Sequence, residues 1–200
     1  MFEINSLKNL TKNGYCYEMK NFYKNPDEIC DLLNKKRPFI HKWGEKNSLN
    51  SFEFLDCRHE FKSRDFEKTE RKLYKFLKKE YTPRTTEGLV MTNFMRLFFK
   101  KNYYKDNYWY PHTDDVVTYN CLVYLNKKPC DGTNIYVQLK PIQGTEHENP
   151  WQSKNNFILL QNIKSEYNKL VIFRSNLYHG LAYNEDRFRK EFRKNQVIFV

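Results

Sequence analysis

The chain has 200 residues, 35 basic against 24 acidic, for a net charge of +11. Aromatic residues make up 17% of it, which excludes a disordered polar chain. No apolar run approaches the ~18 residues of a membrane span, and the opening MFEINSLKNLTKNG lacks the charged-then-apolar pattern of a secretory leader.

Residues 14–23 alternate well enough for a first strand. Asn25-Pro26-Asp27-Glu28 then reads as a helix start, with Asn as N-cap, Pro at the first helical position and acids in the first turn. Ile29, Leu32 and Leu33 give that helix its apolar stripe. Residues 38–62 read as irregular. A second helix is expected from Asp65, with Phe66, Leu73, Phe76, Leu77 and Tyr81 on one face, and Pro83 ends it. After Gly88 the texture changes to short β-rich runs: 89–99, 119–125, 134–139, 169–173 and 195–200. Lys-Asn, Pro-Cys-Asp-Gly and Asn-Glu-Asp turns separate them. Short strands at close spacing without helical crossovers predict an antiparallel sandwich or barrel. The class is therefore α+β: one domain over 1–200, with a helical N-terminal part (1–88) and a β-barrel core (89–200), whose count of roughly eight strands is taken from the barrel architecture and not from the runs themselves.

Five cysteines (Cys16, Cys30, Cys57, Cys121, Cys130) are odd in number and contain no CxxC, so incidental thiols in a reducing cytoplasm are expected. The positive charge has two readings. It fits a polyanion partner such as nucleic acid. The abundance of Lys, Asn, Tyr, Phe and Ile also fits an AT-rich coding sequence, of viral or low-GC source, and the lysines are spread rather than gathered into a stripe.

The strongest local chemical signal is Tyr110-Pro111-His112-Thr113-Asp114-Asp115. In an extended chain His112 and Asp114 face the same way, ~6.6 Å apart, close enough to grip one ion. Asp115 points to the other face and reads as a solvated carboxylate. A second histidine must come from elsewhere. His41 and His59 fall in the irregular region and His147 in a polar loop. His179, in Ser-Asn-Leu-Tyr-His-Gly, follows the apolar run KLVIF. Two imidazoles and one carboxylate make the facial triad of non-haem iron oxygenases, with three positions left open. Further on, Arg193 opens the last apolar strand, where a guanidinium can fork onto a carboxylate. Tyr108, Trp109 and Tyr110 read equally as a substrate mouth or as packing aromatics.

With these residues in view, the sequence resembles the Fe(II)/2-oxoglutarate-dependent dioxygenases, in their prolyl-hydroxylase-like branch. YPHTD is similar to that family's Tyr-x-Pro-His-x-Asp segment, CLVYLNKK to the strand ending in Tyr-Leu-Asn of hypoxia-sensing prolyl hydroxylases, and DGTNIYV to the Gly-Gly-x-Thr-x-Phe turn of the collagen type. Asp131 stands where that turn has its first Gly. NFYKNPDEICDLL matches the family's opening strand and helix.

The resemblance implies a double-stranded β-helix (jelly-roll) barrel with N-terminal helices packed on it. It implies Fe(II) held by His112, Asp114 and His179. It further implies 2-oxoglutarate with its C5 carboxylate on Arg193 and Tyr124, Thr133 beside it, and O2 as the second cosubstrate. The family's basic residue commonly sits about ten residues after the distal histidine, which leaves Arg189 as the alternative to Arg193; Arg187 is the weakest. The expected reaction is hydroxylation of an amino-acid or peptide side chain with release of succinate and CO2. A carboxylate ligand favours hydroxylation over halogenation. The alternative is a basic nucleic-acid-binding or nucleobase-modifying protein on the same barrel.

Overall fold

The computed structural model describes residues 15–35, 39–43, 50–56, 71–77, 90–99, 108–114, 118–142, 151–182 and 193–200; for 32–35, 39–43, 50–56, 90–99 and 130–131 it describes backbone alone. Twelve strands occur among these residues. They are β1 (Tyr17–Met19), β2 (Phe39–Trp43), β3 (Asn50–Asp56), β4 (Val90–Phe99), β5 (Tyr108–Trp109) and β6 (Tyr119–Tyr124). β7 (Cys130–Gln138), β8 (Gln152–Ser153), β9 (Phe157–Ser165), β10 (Lys169–Arg174), β11 (Tyr178–Leu181) and β12 (Arg193–Phe199) follow.

The seven-stranded sheet runs β1-β10-β6-β12-β4-β3-β2, and a three-stranded sheet runs β11-β7-β9. A two-stranded ribbon, β5-β8, joins the second sheet through an isolated bridge between His112 and His179. All pairings are antiparallel. Four strands in the order β10-β6-β12-β4 thus face the 108–112 segment and β11-β7-β9. That interleaving is the order of a jelly roll.

The apolar pattern explains the two layers. β6 and β10 are almost continuously apolar because both faces are covered. Cys121, Val123, Leu125, Leu170, Ile172, Ile198 and Val200 point outward and share one buried cluster with Ile29, Cys30, Leu73, Tyr74, Phe76 and Leu77. Leu122, Tyr124, Val171, Phe173 and Val197 point inward and join Ile135 and Ile163 of the second sheet. Each such fully buried side chain contributes about 1.5–3 kcal/mol.

Helix α1 (Pro26–Lys35) begins as the sequence predicts, with Asp27 and Glu28 in its first turn. Asn25 Nδ2 donates to Glu28 Oε1 at 3.0 Å. Residues 71–76 are helical and Leu77 closes the turn, its N donating to Leu73 O at 2.9 Å; the expected helix before 71 and after 77 lies outside the described residues. No helix among the described residues is long and apolar enough to cross a membrane.

Four expectations are corrected. The first strand is only Tyr17–Met19. The segment 38–62 is not irregular throughout: β2 and β3 extend the large sheet, paired with each other and with β4. The Cys-Asp-Gly expected as a turn is the start of β7, with a register shift before Thr133. β9 was not anticipated, because a register shift opposite Ile135 and Tyr136 breaks its alternation.

Candidate metal and cosubstrate site

His112, Asp114 and His179 come together. Their ligand atoms all lie within 4.8 Å of one another, and His179 Nε2 stands 3.1 Å from Asp114 Oδ2. Two cis ligands at ~2.1 Å from one ion stand about 3 Å apart, so this spacing suits a small divalent cation.

The backbone sets each ligand. His112 and His179 face each other across the bridge, with N–H to O distances of 2.8 and 2.9 Å. Gly180 makes this approach feasible: a Cβ there would lie 1.5 Å from Tyr110 O. The turn from β10 into β11 places the other two groups. Ser175 O accepts Asp114 N at 3.0 Å, and Leu177 O lies 2.9 Å from His179 Nδ1. With Nδ1–H donating to that carbonyl, the His179 Nε2 lone pair is left to a ligand.

Electrostatics favour the ligating forms of His112 and Asp114. Removal from water, and then the His179 charge, push His112 down to about 3, outweighing Asp114. Its ring is neutral. Burial alone would raise the Asp114 carboxyl, but the His179 hydrogen bond, the two imidazoles and Asn120 together hold it below the usual carboxylate range.

Two polar atoms beside the triad, His112 Nδ1 and Asn120 Oδ1, are buried without a hydrogen bond. Buried polar groups in that condition call for a ligand or ion. The donor set, its spacing and these atoms fit an iron ion.

Tyr124, Thr133 and Arg193 gather in the same barrel interior. Tyr124 OH donates to Thr133 Oγ1 at 2.8 Å, and Arg193 Cζ lies 5.7 Å from the Tyr124 ring centroid. The buried Arg193 donates from Nη2 to Gly132 O at 2.9 Å and from Nη1 to Asn195 Oδ1 at 3.0 Å. Burial, more than the Arg193 charge can offset, pushes the Tyr124 phenol up to about 12, so it remains a donor. Gly132 is required here: a Cβ would lie 1.9 Å from Ile163 O. Arg189, Arg187 and Asp115 lie outside the described residues, as do His59 and His147; for His41 only the backbone in β2 is described. Trp109 packs on Tyr136 at 4.8 Å, and Tyr110 on His112 at 5.1 Å and Trp151 at 5.8 Å. Cys16, Cys30 and Cys121 are free thiols.

Sequence reasoning missed two side chains. Asn120 Nδ2 donates to Asp114 Oδ2 at 2.7 Å and lies 3.3 Å from His179 Nε2. Asn126 Oδ1 accepts Lys194 N at 2.7 Å, pinning the residue after Arg193. Inward alternation along 120, 122 and 124 pointed to Asn120, but only the β6 register brings it to the triad.

No family model matches the sequence, and no curated protein matches it. Solved structures do match, over nearly the whole chain. A 2OG-Fe(II) oxygenase family oxidoreductase from Burkholderia pseudomallei is 10% identical, covering 99% of this chain and 90% of its own, with a TM-score of 0.54. A prolyl-4-hydroxylase from Pseudomonas putida is 8% identical over 98% and 96%, with a TM-score of 0.51. The epimerase SnoN, in complex with Fe3+, alpha ketoglutarate and nogalamycin RO, is 10% identical over 98% and 83%, with a TM-score of 0.60. The chain has the fold of the 2OG-Fe(II) oxygenase structures.

Proposed function

We propose that this chain is an Fe(II)- and 2-oxoglutarate-dependent oxygenase that hydroxylates an amino-acid or peptide side chain, releasing succinate and CO2. The observation that carries the reading is the His112–Asp114–His179 cluster on facing elements of a jelly roll. The similar structures include a prolyl-4-hydroxylase, and the Tyr124-Leu125-Asn126 segment resembles that branch.

Iron and the keto acid, when bound, supply the oxygen activation and oxidative decarboxylation. The chain's own residues do the rest. Asp114 would bring the negative charge, and His112 and His179 would bring ring-nitrogen lone pairs, so these three side chains would hold the ion. Asn120 holds the Asp114 oxygen, and Leu177 O holds the His179 tautomer. Arg193 and the Tyr124 hydroxyl would receive the C5 carboxylate, with Thr133 orienting the phenol; Arg189 is the alternative cation. The inward Leu122, Ile135, Val171, Phe173 and Val197 exclude water from the reacting centre. The helices on the outer cluster serve as the barrel's cover.

The test is succinate release from 2-oxoglutarate with Fe(II) and O2 over a peptide and amino-acid panel, with product mass. A gain of one oxygen on a substrate side chain is expected. Tight metal and keto-acid binding with no oxidised product from any member would overturn the substrate class.

The +11 charge favours a second reading, in which nucleic acid is the substrate or partner. Its mark would be steeply salt-dependent binding to RNA or DNA; a flat salt response would remove it.

A further inference from the structure

One buried charge inside the barrel has no role in the chemistry above. Lys169, only 2% exposed, opens β10. A tight turn delivers it: Lys169 N donates to Glu166 O at 3.1 Å, and Asn168 takes the left-handed conformation at φ 62°. Asn168 is itself clamped, accepting Tyr23 N and donating to Tyr23 O, both at 2.8 Å.

Register puts Lys169 beside Tyr124. Alternation turns it inward with Val171 and Phe173, which belong to the interior cluster. Its Nζ reaches Glu18 Oε2 at 2.7 Å and Glu166 Oε1 at 3.6 Å. The same Nζ lies 5.9 Å from the Tyr124 ring centroid, and Arg193 Cζ lies 5.7 Å from it. Tyr124 pairs with Lys169 on β10 and with Asn195 on β12. The two cations therefore reach one phenol ring from the strands on either side of it.

Stability alone is a poor reason for this lysine. Lys169 is buried while its partner Glu18 is half-exposed; taking the ammonium out of water carries a desolvation cost that a Leu or Met completing the interior cluster would not. A positive charge beside a tyrosine and an arginine makes sense where an anion docks.

We propose that Lys169 is a positioning residue for the cosubstrate. Clamped by Glu18, it holds the Tyr124 ring and adds a second positive charge to the wall receiving the C5 carboxylate. The site thereby selects a dicarboxylic keto acid over a monocarboxylic one. This rests on the oxygenase reading above.

The test is calorimetric binding of 2-oxoglutarate and of 2-oxopentanoate to the Mn(II)-loaded protein. The second acid has the same keto-acid head and no distal carboxylate. Wild type is expected to prefer 2-oxoglutarate. Lys169→Met is expected to weaken 2-oxoglutarate about tenfold and leave 2-oxopentanoate within about twofold, while Lys169→Arg keeps the preference. Glu18→Gln, at a half-exposed position, removes the nearer of the two competing carboxylates and keeps an acceptor, so 2-oxoglutarate tightens selectively.

A Lys169→Met protein with wild-type preference overturns the proposal. Equal weakening of both acids also overturns it, since that marks a merely structural role. Should Lys169→Met fail to fold, an unchanged preference in Glu18→Gln overturns it. Wild type that binds neither acid overturns the oxygenase reading itself, which separates the two failures.

Discussion

Replacing Arg193 with Met tests the cosubstrate pocket at its charged end. The guanidinium is buried and donates to Gly132 O and Asn195 Oδ1. Gly132 O also accepts Ala182 N at 3.1 Å, so the substitution leaves mainly Asn195 short of a partner. That costs about 1–3 kcal/mol, or roughly 2–12 °C in Tm for a chain of this size. The protein stays folded. The effect on 2-oxoglutarate is larger. A guanidinium–carboxylate fork is two charge-assisted bonds of about 1.5–3 kcal/mol each. At the lower end their sum is about 3 kcal/mol, about a hundredfold in Kd. Arg193→Lys keeps the charge and loses the fork, so it falls between. The assay is calorimetry of 2-oxoglutarate into the Mn(II)-loaded protein, with metal affinity measured separately and expected to be unchanged. Arg193→Met binding 2-oxoglutarate within about threefold of wild type would refute the reasoning. A hundredfold loss in Arg189→Met instead would assign the carboxylate to Arg189.

Three further outcomes follow from the geometry. Gly180→Ala drives a Cβ to 1.5 Å from Tyr110 O, so the segment carrying His112 must move; a loss of more than about 3 kcal/mol in stability and of metal binding is expected, and a normal Tm would contradict the close approach. Asn120→Ala frees the Asp114 oxygen and is expected to weaken metal binding about 10–100-fold, read by chelator competition; unchanged affinity would show that the hydrogen bond is idle. Chelator-treated protein should lose Tm as pH falls from 7 toward 4. Burial and the His179 charge hold folded His112 near 3, so below ~6.5 the unfolded chain takes a proton that the folded chain refuses. Asp114 acts in the same sense at lower pH: its lowered folded value makes its stabilisation present above ~4 and lost as pH falls further, through the folded value. A Tm independent of pH between 7 and 4 would contradict the His112 assignment.

The triad was legible because two of its members share one short motif and the third follows an apolar run. β6 and β10 were legible because near-continuous apolar residues mark strands covered on both faces, and β12 by the Val-Ile-Phe that ends it. β2 and β3 were not. They extend one end of the sheet, and what recruits them is pairing with β4, far along the chain. β9 hid behind its register shift. Asn120 and Lys169 are ordinary polar letters in the sequence. Only the registers that set Lys169 opposite Tyr124 and His112 opposite His179 give them neighbours. Gly132 reads as a turn residue, whereas it and Gly180 each mark a close backbone approach.

The most direct test of the central claim is an anaerobic titration of chelator-treated protein with Fe(II), followed by 2-oxoglutarate. One ion per chain is expected, with a weak visible charge-transfer band appearing when the keto acid is added. Both should be lost in Asp114→Ala and in His179→Ala while the fold persists. Iron binding at wild-type strength in both variants would mean that His112, Asp114 and His179 are not the metal site, and the account would fall with them.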